Sequence, residues 1–232
     1  FGSILKQSIL ARNFSTLSIP EKDSLISYVL NGGCLIAPNV RDSYLYSVFG
    51  ISSTNNTTTH FNISFDTLLN DPSFRWLNDS LEQTISLGDS AEFSTFLNSR
   101  SYAVSGAVSL AEFNDTTTAI TKYTYGLGKT YALGFSFRNL VAINQTNRDN
   151  SAQRVYSNGF EPTSDAVILF IKAICTEQIS NSVWLHTSPY DSRSTLMITH
   201  DIDATSSYDT MHYYADYENG IGLSATYLIT TH

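Results

Sequence analysis

Apolar residues first recur at helical spacing at Leu25, Ile26, Val29 and Leu30, the period that gives a helix one buried face. Ser18 and Glu21 stand before the run as a capping-box pair and Asn31-Gly32-Gly33 closes it, so a helix of about three turns is predicted. It feeds into Cys34-Leu35-Ile36-Ala37, a continuous apolar run ended by Pro38. Unbroken apolarity over so short a run marks a strand covered on both faces, as in a parallel sheet. Arg41 to Phe49 reads as a further helix stopped by Gly50, and Asn55 to Thr59 as a polar loop. From Leu81 to Phe137 strand signals dominate. Thr117 to Tyr125 and Lys129 to Phe137 flank Gly126-Leu127-Gly128, a three-residue hairpin connection. Asn144 to Asn158 reads as a surface loop. Thr163-Ser164-Asp165 then caps an apolar helix through Val167, Ile168, Phe170, Ile171 and Ile174 to about Gln178.

The pattern changes after that helix. Ile179 to Arg193 is irregular, and a fresh β-α-β unit follows: Thr195 to Asp203 as strand, Ser206 to Asn219 as helix closed by Gly220, and Leu223 to Thr230 as strand. The sequence therefore predicts an α/β chain in two parts, residues 1–182 and 183–232.

Composition narrows the possible roles. The 232 residues are 42% hydrophobic and 15% charged, with a formal charge of -8 and a pI of about 4.9. No basic stripe is available for phosphates or anionic lipid, so neither nucleic acid nor a membrane surface is an expected partner. No run is long and apolar enough for a membrane span, and Phe1 opens neither an initiator methionine nor a leader pattern. The chain reads as a piece of something longer. Asn-x-Ser/Thr acceptors at Asn13, Asn55, Asn56, Asn62, Asn78, Asn114 and Asn144 predict a secreted glycoprotein of the extracellular space or cell wall. Cys34 and Cys175 both sit among apolar neighbours, which suits two buried thiols as well as one disulfide.

The chemistry concentrates in Thr199-His200-Asp201-Ile202-Asp203. Alternation along a strand puts Met197, Thr199, Asp201 and Asp203 on one face and Leu196, Ile198, His200 and Ile202 on the other. Two acids thus meet at the strand's carboxyl end, where parallel α/β folds place ligands. Their repulsion calls for a shared proton or a divalent cation; the alternative is a helix cap formed by Asp203 or Ser206. His200, on the other face, is expected to be a buried structural histidine.

Met197-Ile198-Thr199-His200-Asp201-Ile202-Asp203, with the strand Leu223-Ser224-Ala225-Thr226-Tyr227-Leu228-Ile229, resembles the opening of the NodB-homology polysaccharide deacetylases. The resemblance covers about the last 45 residues. It implies the first β-α-β unit of a distorted (β/α) barrel, completed further downstream, that removes acetyl groups from an acetylated polysaccharide with a divalent metal, commonly zinc. It assigns Asp201 as general base and Asp203 as metal ligand, and the intervening Ile202 leaves the two roles exchangeable. His232 is a candidate further ligand. The family's His-x-x-x-His pair does not occur in this stretch. The first 182 residues resemble, through Tyr28 to Pro38 and Tyr125 to Gly134, the flavodoxin-like class I glutamine amidotransferase-like domains. Cys34 opens a strand and lacks the glycine that follows a nucleophile elbow, so this part is expected to be non-catalytic. The competing reading is a carbohydrate-binding or scaffold module.

Gly128-Lys129-Thr130 matches the end of a phosphate-binding loop, but Tyr123 stands where that loop needs glycine. Tyr208, Tyr213, Tyr214 and Tyr217 offer sugar-stacking faces, though this spacing more often packs a helix onto a sheet.

Overall fold

A computed structural model describes residues 8–10, 14–87, 97–140, 164–179 and 196–229. The loop expected at 144–158, the cap residue Thr163 and most of the irregular stretch at 179–193 lie outside them. The chain divides into two units, Phe1–Ser182 and Val183–His232.

The first unit is built on one nine-stranded sheet. Its parallel part is β1 (Ser8–Leu10), β2 (Cys34–Pro38) and β9 (Gly128–Leu133), with β2 in the middle. Beyond β9 every pairing is antiparallel, through β8 (Thr118–Tyr125), β7 (Val108–Phe113), β4 (Asn62–Phe65) and β5 (Thr84–Ser86). A side ladder joins β3 (Ile51–Thr57) to β6 (Ser99–Val104), and β6 meets β8 at Tyr102 and Thr118. The unit is therefore mixed α/β. The flavodoxin-like expectation of a parallel sheet describes only the three strands around β2.

Helix α1 (Ile19–Leu30) starts where its cap predicts, the Glu21 carboxylate accepting from both the Ser18 N–H and its hydroxyl at 2.7 Å. It ends at Asn31, whose N–H returns to Ser27. Helix α2 (Ser164–Gln178) covers the other face of the sheet. Consecutive residues of β2 consequently serve different cores: Cys34 and Ile36 pack with Tyr131, Leu133 and Phe170, while Leu35 and Ala37 pack with Val29, Leu45 and Ala132. That is why the run has no polar position. No disulfide joins Cys34 and Cys175; the first is buried, the second half-buried.

Three local expectations are corrected. Ser43–Val48 is a 3-10 helix rather than an α-helix, with Asp42 accepting from the Tyr44 N–H at its start. Asn55 to Thr57 belongs to β3, not to a loop, because β6 supplies the ladder that a polar strand cannot announce in its own composition. The β8–β9 hairpin turns on Gly126 and Leu127 alone, since Tyr125 already pairs with Gly128. This hairpin docks on the end of α1: Leu127 and Lys129 donate to the carbonyls of Leu30 and Gly33. The approach is so close that a Cβ on Gly128 would strike the carbonyl oxygens of Val29 and Gly33.

The second unit, among its described residues, is a β-α-β element. β10 (Ile198–Ile202) and β11 (Ala225–Ile229) run parallel with His200 opposite Tyr227, and α3 (Thr205–Gly220) connects them. Ile198, His200 and Ile202 are turned to the covered side, and only Ile202 is buried. The less exposed positions of α3 are Ser207, Met211, Ala215 and Glu218, a helical stripe against the strands. Tyr208, Tyr213, Tyr214 and Tyr217 lie outside that stripe and are exposed; of the four, Tyr214 sets its ring against His200 of β10, at 6.3 Å.

Candidate functional site

Along β10 the side chains alternate as the sequence predicts. Thr199 and Asp201 occupy the face that α3 leaves open, and Asp203, just past the strand, is also exposed. In register with them on β11 stand Thr226, opposite Thr199, and Leu228, opposite Asp201. The acids thus sit at the carboxyl edge of a parallel pair. Helix α3 begins at Thr205 with Ala204 at the cap position, so Asp203 precedes the cap and Ser206 lies within the first turn.

His200 faces the opposite way and is committed there. Its Nε2 lies 2.6 Å from Glu218 Oε1, its ring stacks on Tyr227 at 4.6 Å, and the Tyr227 hydroxyl donates to Glu218 Oε2 at 2.7 Å. These bonds from Tyr227 and His200 hold the Glu218 carboxyl below its ordinary range. Burial, together with that carboxylate, pushes the Tyr227 phenol up to about 12. The trio ties β10, β11 and the last turn of α3 together, behind the acids rather than beside them.

A divalent cation favours carboxylate oxygens, so Asp201 and Asp203 fit one in kind. In number they do not complete a site, because a catalytic zinc takes about three protein ligands and no group of three His, Cys, Asp or Glu side chains comes together among the described residues. His232 lies outside the described residues.

One constellation escaped the sequence reading. His60, 1% exposed, sits with Nδ1 2.7 Å from Ser99 Oγ and Nε2 3.0 Å from Asp115 Oδ2, its ring stacked on Phe113 at 3.8 Å. A carboxylate can only accept, so it holds the proton on Nε2, and in the neutral ring Nδ1 then accepts from Ser99. Composition alone makes this a serine, histidine and aspartate chain. Ser99 is fully buried, however, and no substrate carbonyl reaches its oxygen, so the chain is a brace and not a nucleophile. Its other end holds a turn: Asp115 Oδ1 accepts from the Thr117 N–H at 3.1 Å and from the Thr117 hydroxyl at 2.6 Å. Burial pushes the Asp115 carboxyl up, but the bonds from Thr117 and His60 outweigh it and leave the group below its ordinary value. The three residues are 39 and 55 positions apart, which is why no local motif displays them.

Beside this brace lies a groove of about 420 Å³ lined by Ser53, Thr54, Asn55, residues 101–104 and Thr116 to Thr118.

No family model matches the chain and no curated protein is similar to it. Among solved structures, a carbohydrate deacetylase, Agd3, aligns at a TM-score of 0.46 and 13% identity, over 88% of this chain and 29% of its own. The β-galactosidase of Bacillus circulans aligns at 0.45 and 15%, over 74% and 22%. A cytoplasmic protein of Salmonella typhimurium aligns at 0.44 and 11%, over 71% and 70%. The chain thus spans less than a third of either enzyme. Similarity this low assigns no function.

Proposed function

We propose that this chain is part of a metal-dependent deacetylase acting on an extracellular or cell-wall polysaccharide, an N-acetylated amino-sugar polymer being the class that fits the resemblance. The observation that carries the reading is the acidic end of β10, where Asp201 stands on the open face of a parallel β-α-β unit and Asp203 follows it at the carboxyl edge. In this reading residues 183–232 open a (β/α) barrel, and residues 1–182 form a non-catalytic amidotransferase-like unit.

Asp201 acts as the base that takes a proton from the attacking water, and Asp203 is a ligand to the metal, commonly zinc, with His232 as a further ligand. When bound, such a metal lowers the pKa of water towards about 7 and polarises an acyl oxygen. The chain's own contribution is positional. His200, Glu218 and Tyr227 lock the back of β10, so the front carboxylates are presented from a fixed strand. Hydrolysis cleaves the bond between the acetyl carbon and the sugar's nitrogen or oxygen, water supplies the hydroxyl of the released acetate, and the proton held by the base returns to the leaving group.

The test is acetate release from acetylated glycans by the full-length secreted protein, together with its metal content, beside Asp203→Asn and Asp201→Asn variants. Stoichiometric metal, lost in Asp203→Asn, with acetate release lost in both, is the expected result. A metal-free protein that releases no acetate overturns the proposal.

A further inference from the structure

We infer that the groove between β3–β6 and the Thr116–Thr118 turn is a binding site for a neutral saccharide, separate from the acidic end of β10. This deepens the proposed function, because it rests on that reading for the identity of the polymer.

The groove is built by register. Ser53 pairs with Ala103 and Asn55 with Ser101 across the β3–β6 ladder, so these side chains rise from one face. Thr54 and Tyr102 belong to the opposite face, where the Tyr102 hydroxyl is already spent on the Val40 N–H and the Leu133 carbonyl. What the groove offers is therefore an amphipathic lining: hydroxyl and amide groups from Ser53, Asn55 and Ser101 beside the apolar Ala103 and Val104, walled by Thr116 and Thr118, whose hydroxyls and methyls suit the polar rim and apolar ring face of a sugar. None of its lining residues is ionisable apart from the buried Tyr102 phenol, which burial holds protonated far above neutrality.

That composition selects the ligand. A phosphate, sulfate or carboxylate group entering such a site would lose water without meeting a counter-charge among the lining residues, which is costly. A neutral polyol meets donors and acceptors of its own kind, and the volume is at the small end of the ligand-site range.

The wall is held in advance. Thr116 has φ 66°, a left-handed conformation that a β-branched residue rarely takes, and strain of this kind persists only where surroundings impose it. The turn is closed by the main chain, the Thr116 N–H donating to the Phe113 carbonyl and the Phe113 N–H to the Thr117 carbonyl, and the brace described above adds side-chain bonds on either side of Thr116. Asp115 fixes Thr117 through two bonds, His60 fixes Asp115, and Ser99 anchors His60. Thr57 and Ser99 face each other at the end of the same ladder that forms the floor. Floor and wall are thus linked by a chain whose inner members, His60 and Ser99, are buried, which sets the width of the groove before any ligand arrives.

The experiment is a titration of the full-length protein, produced without N-glycans, with tri-N-acetylchitotriose, with cellotetraose and with an oligogalacturonate, followed by calorimetry. The expected result is saturable binding of at least one neutral oligosaccharide, at least tenfold weaker binding of the anionic one, and a loss of about tenfold in Ser53→Ala/Asn55→Ala. Both of those residues are exposed, so the variant keeps its fold; an unchanged melting temperature verifies it. His60→Phe, which retains the ring stack and removes the brace, is expected to weaken neutral binding as well. Absence of binding to either neutral oligosaccharide, or binding that the double variant leaves untouched, overturns the inference. Acetate release is read in parallel on the unsubstituted protein: no saccharide binding at the groove with acetate release intact refutes the groove and leaves the deacetylase, while groove binding without acetate release does the reverse.

Discussion

Gly128 gives the sharpest test of the packing. It begins β9 with ordinary backbone angles, so on conformational grounds alanine there should stabilise the strand by about 0.5–1 kcal/mol. The structure reverses the sign. A methyl group on Gly128 meets the carbonyl oxygens of Val29 and Gly33, both main-chain atoms fixed by α1 and its Gly-Gly end. Forcing backbone apart costs about 1–3 kcal/mol. The same displacement loosens the bonds from Leu127 to Leu30 and from Lys129 to Gly33, each worth about 0.5–1.5 kcal/mol. Gly128→Ala should therefore lose about 2–4 kcal/mol overall. For a unit of this size that lowers the melting temperature by about 4–16 °C, read by urea and thermal denaturation through Trp76 fluorescence. Gly220→Ala, in the second unit and read by far-UV circular dichroism, is the comparison of opposite sign, because nothing lies within 4 Å of its added carbon and a helix favours alanine by about 0.5–1 kcal/mol. An unchanged or raised stability in Gly128→Ala would refute the docking of the hairpin on α1.

Two further outcomes depend on pH. Burial raises the Asp71 carboxyl, but the bonds from Lys122, at 2.7 Å, and from Ser73 more than offset it, so its pKa is depressed in the folded state. A depressed carboxyl contributes stability above its unfolded pKa of about 3.9 and loses it as pH falls through the folded value. The stability gap between wild type and Asp71→Asn should accordingly be constant from neutrality down to about pH 5 and close below about pH 4; a gap that widens on acidification sinks the assignment. For Tyr227, the difference in tyrosinate absorbance between wild type and Tyr227→Phe should titrate near 12, and Glu218→Gln should move that midpoint down. A midpoint indifferent to Glu218 would show that the two groups do not meet.

What the sequence disclosed follows the range of each interaction. The start of α1 was legible because Ser18 and Glu21 are three residues apart and act on each other directly. Both-face burial of β2 was legible because its reason, no polar position, is written within Cys34–Ala37 itself. The alternation of Asp201 and His200 followed from strand geometry alone. β3 was misread because Ser, Thr and Asn have the composition of a loop, and the β6 ladder that makes them a strand lies more than forty residues away. The brace was invisible for the same reason: Ser99, His60 and Asp115 are unremarkable singly, and only the tertiary fold joins them. Likewise the two glycine motifs were visible separately, whereas their mutual contact was not.

The placement of β2 between β1 and β9 has a consequence for synthesis on the ribosome. β1, α1 and β2 emerge early, but β9 is translated only after the whole antiparallel insertion between Pro38 and Gly128, and α2 later still. Until then Cys34-Leu35-Ile36-Ala37, an unbroken apolar run, has one open ladder edge and one uncovered face. Late-arriving partners of this kind slow folding and prolong exposure to association. The nascent chain therefore depends on early collapse of the β3–β8 insertion, or on a chaperone, to keep that strand from pairing with the wrong edge.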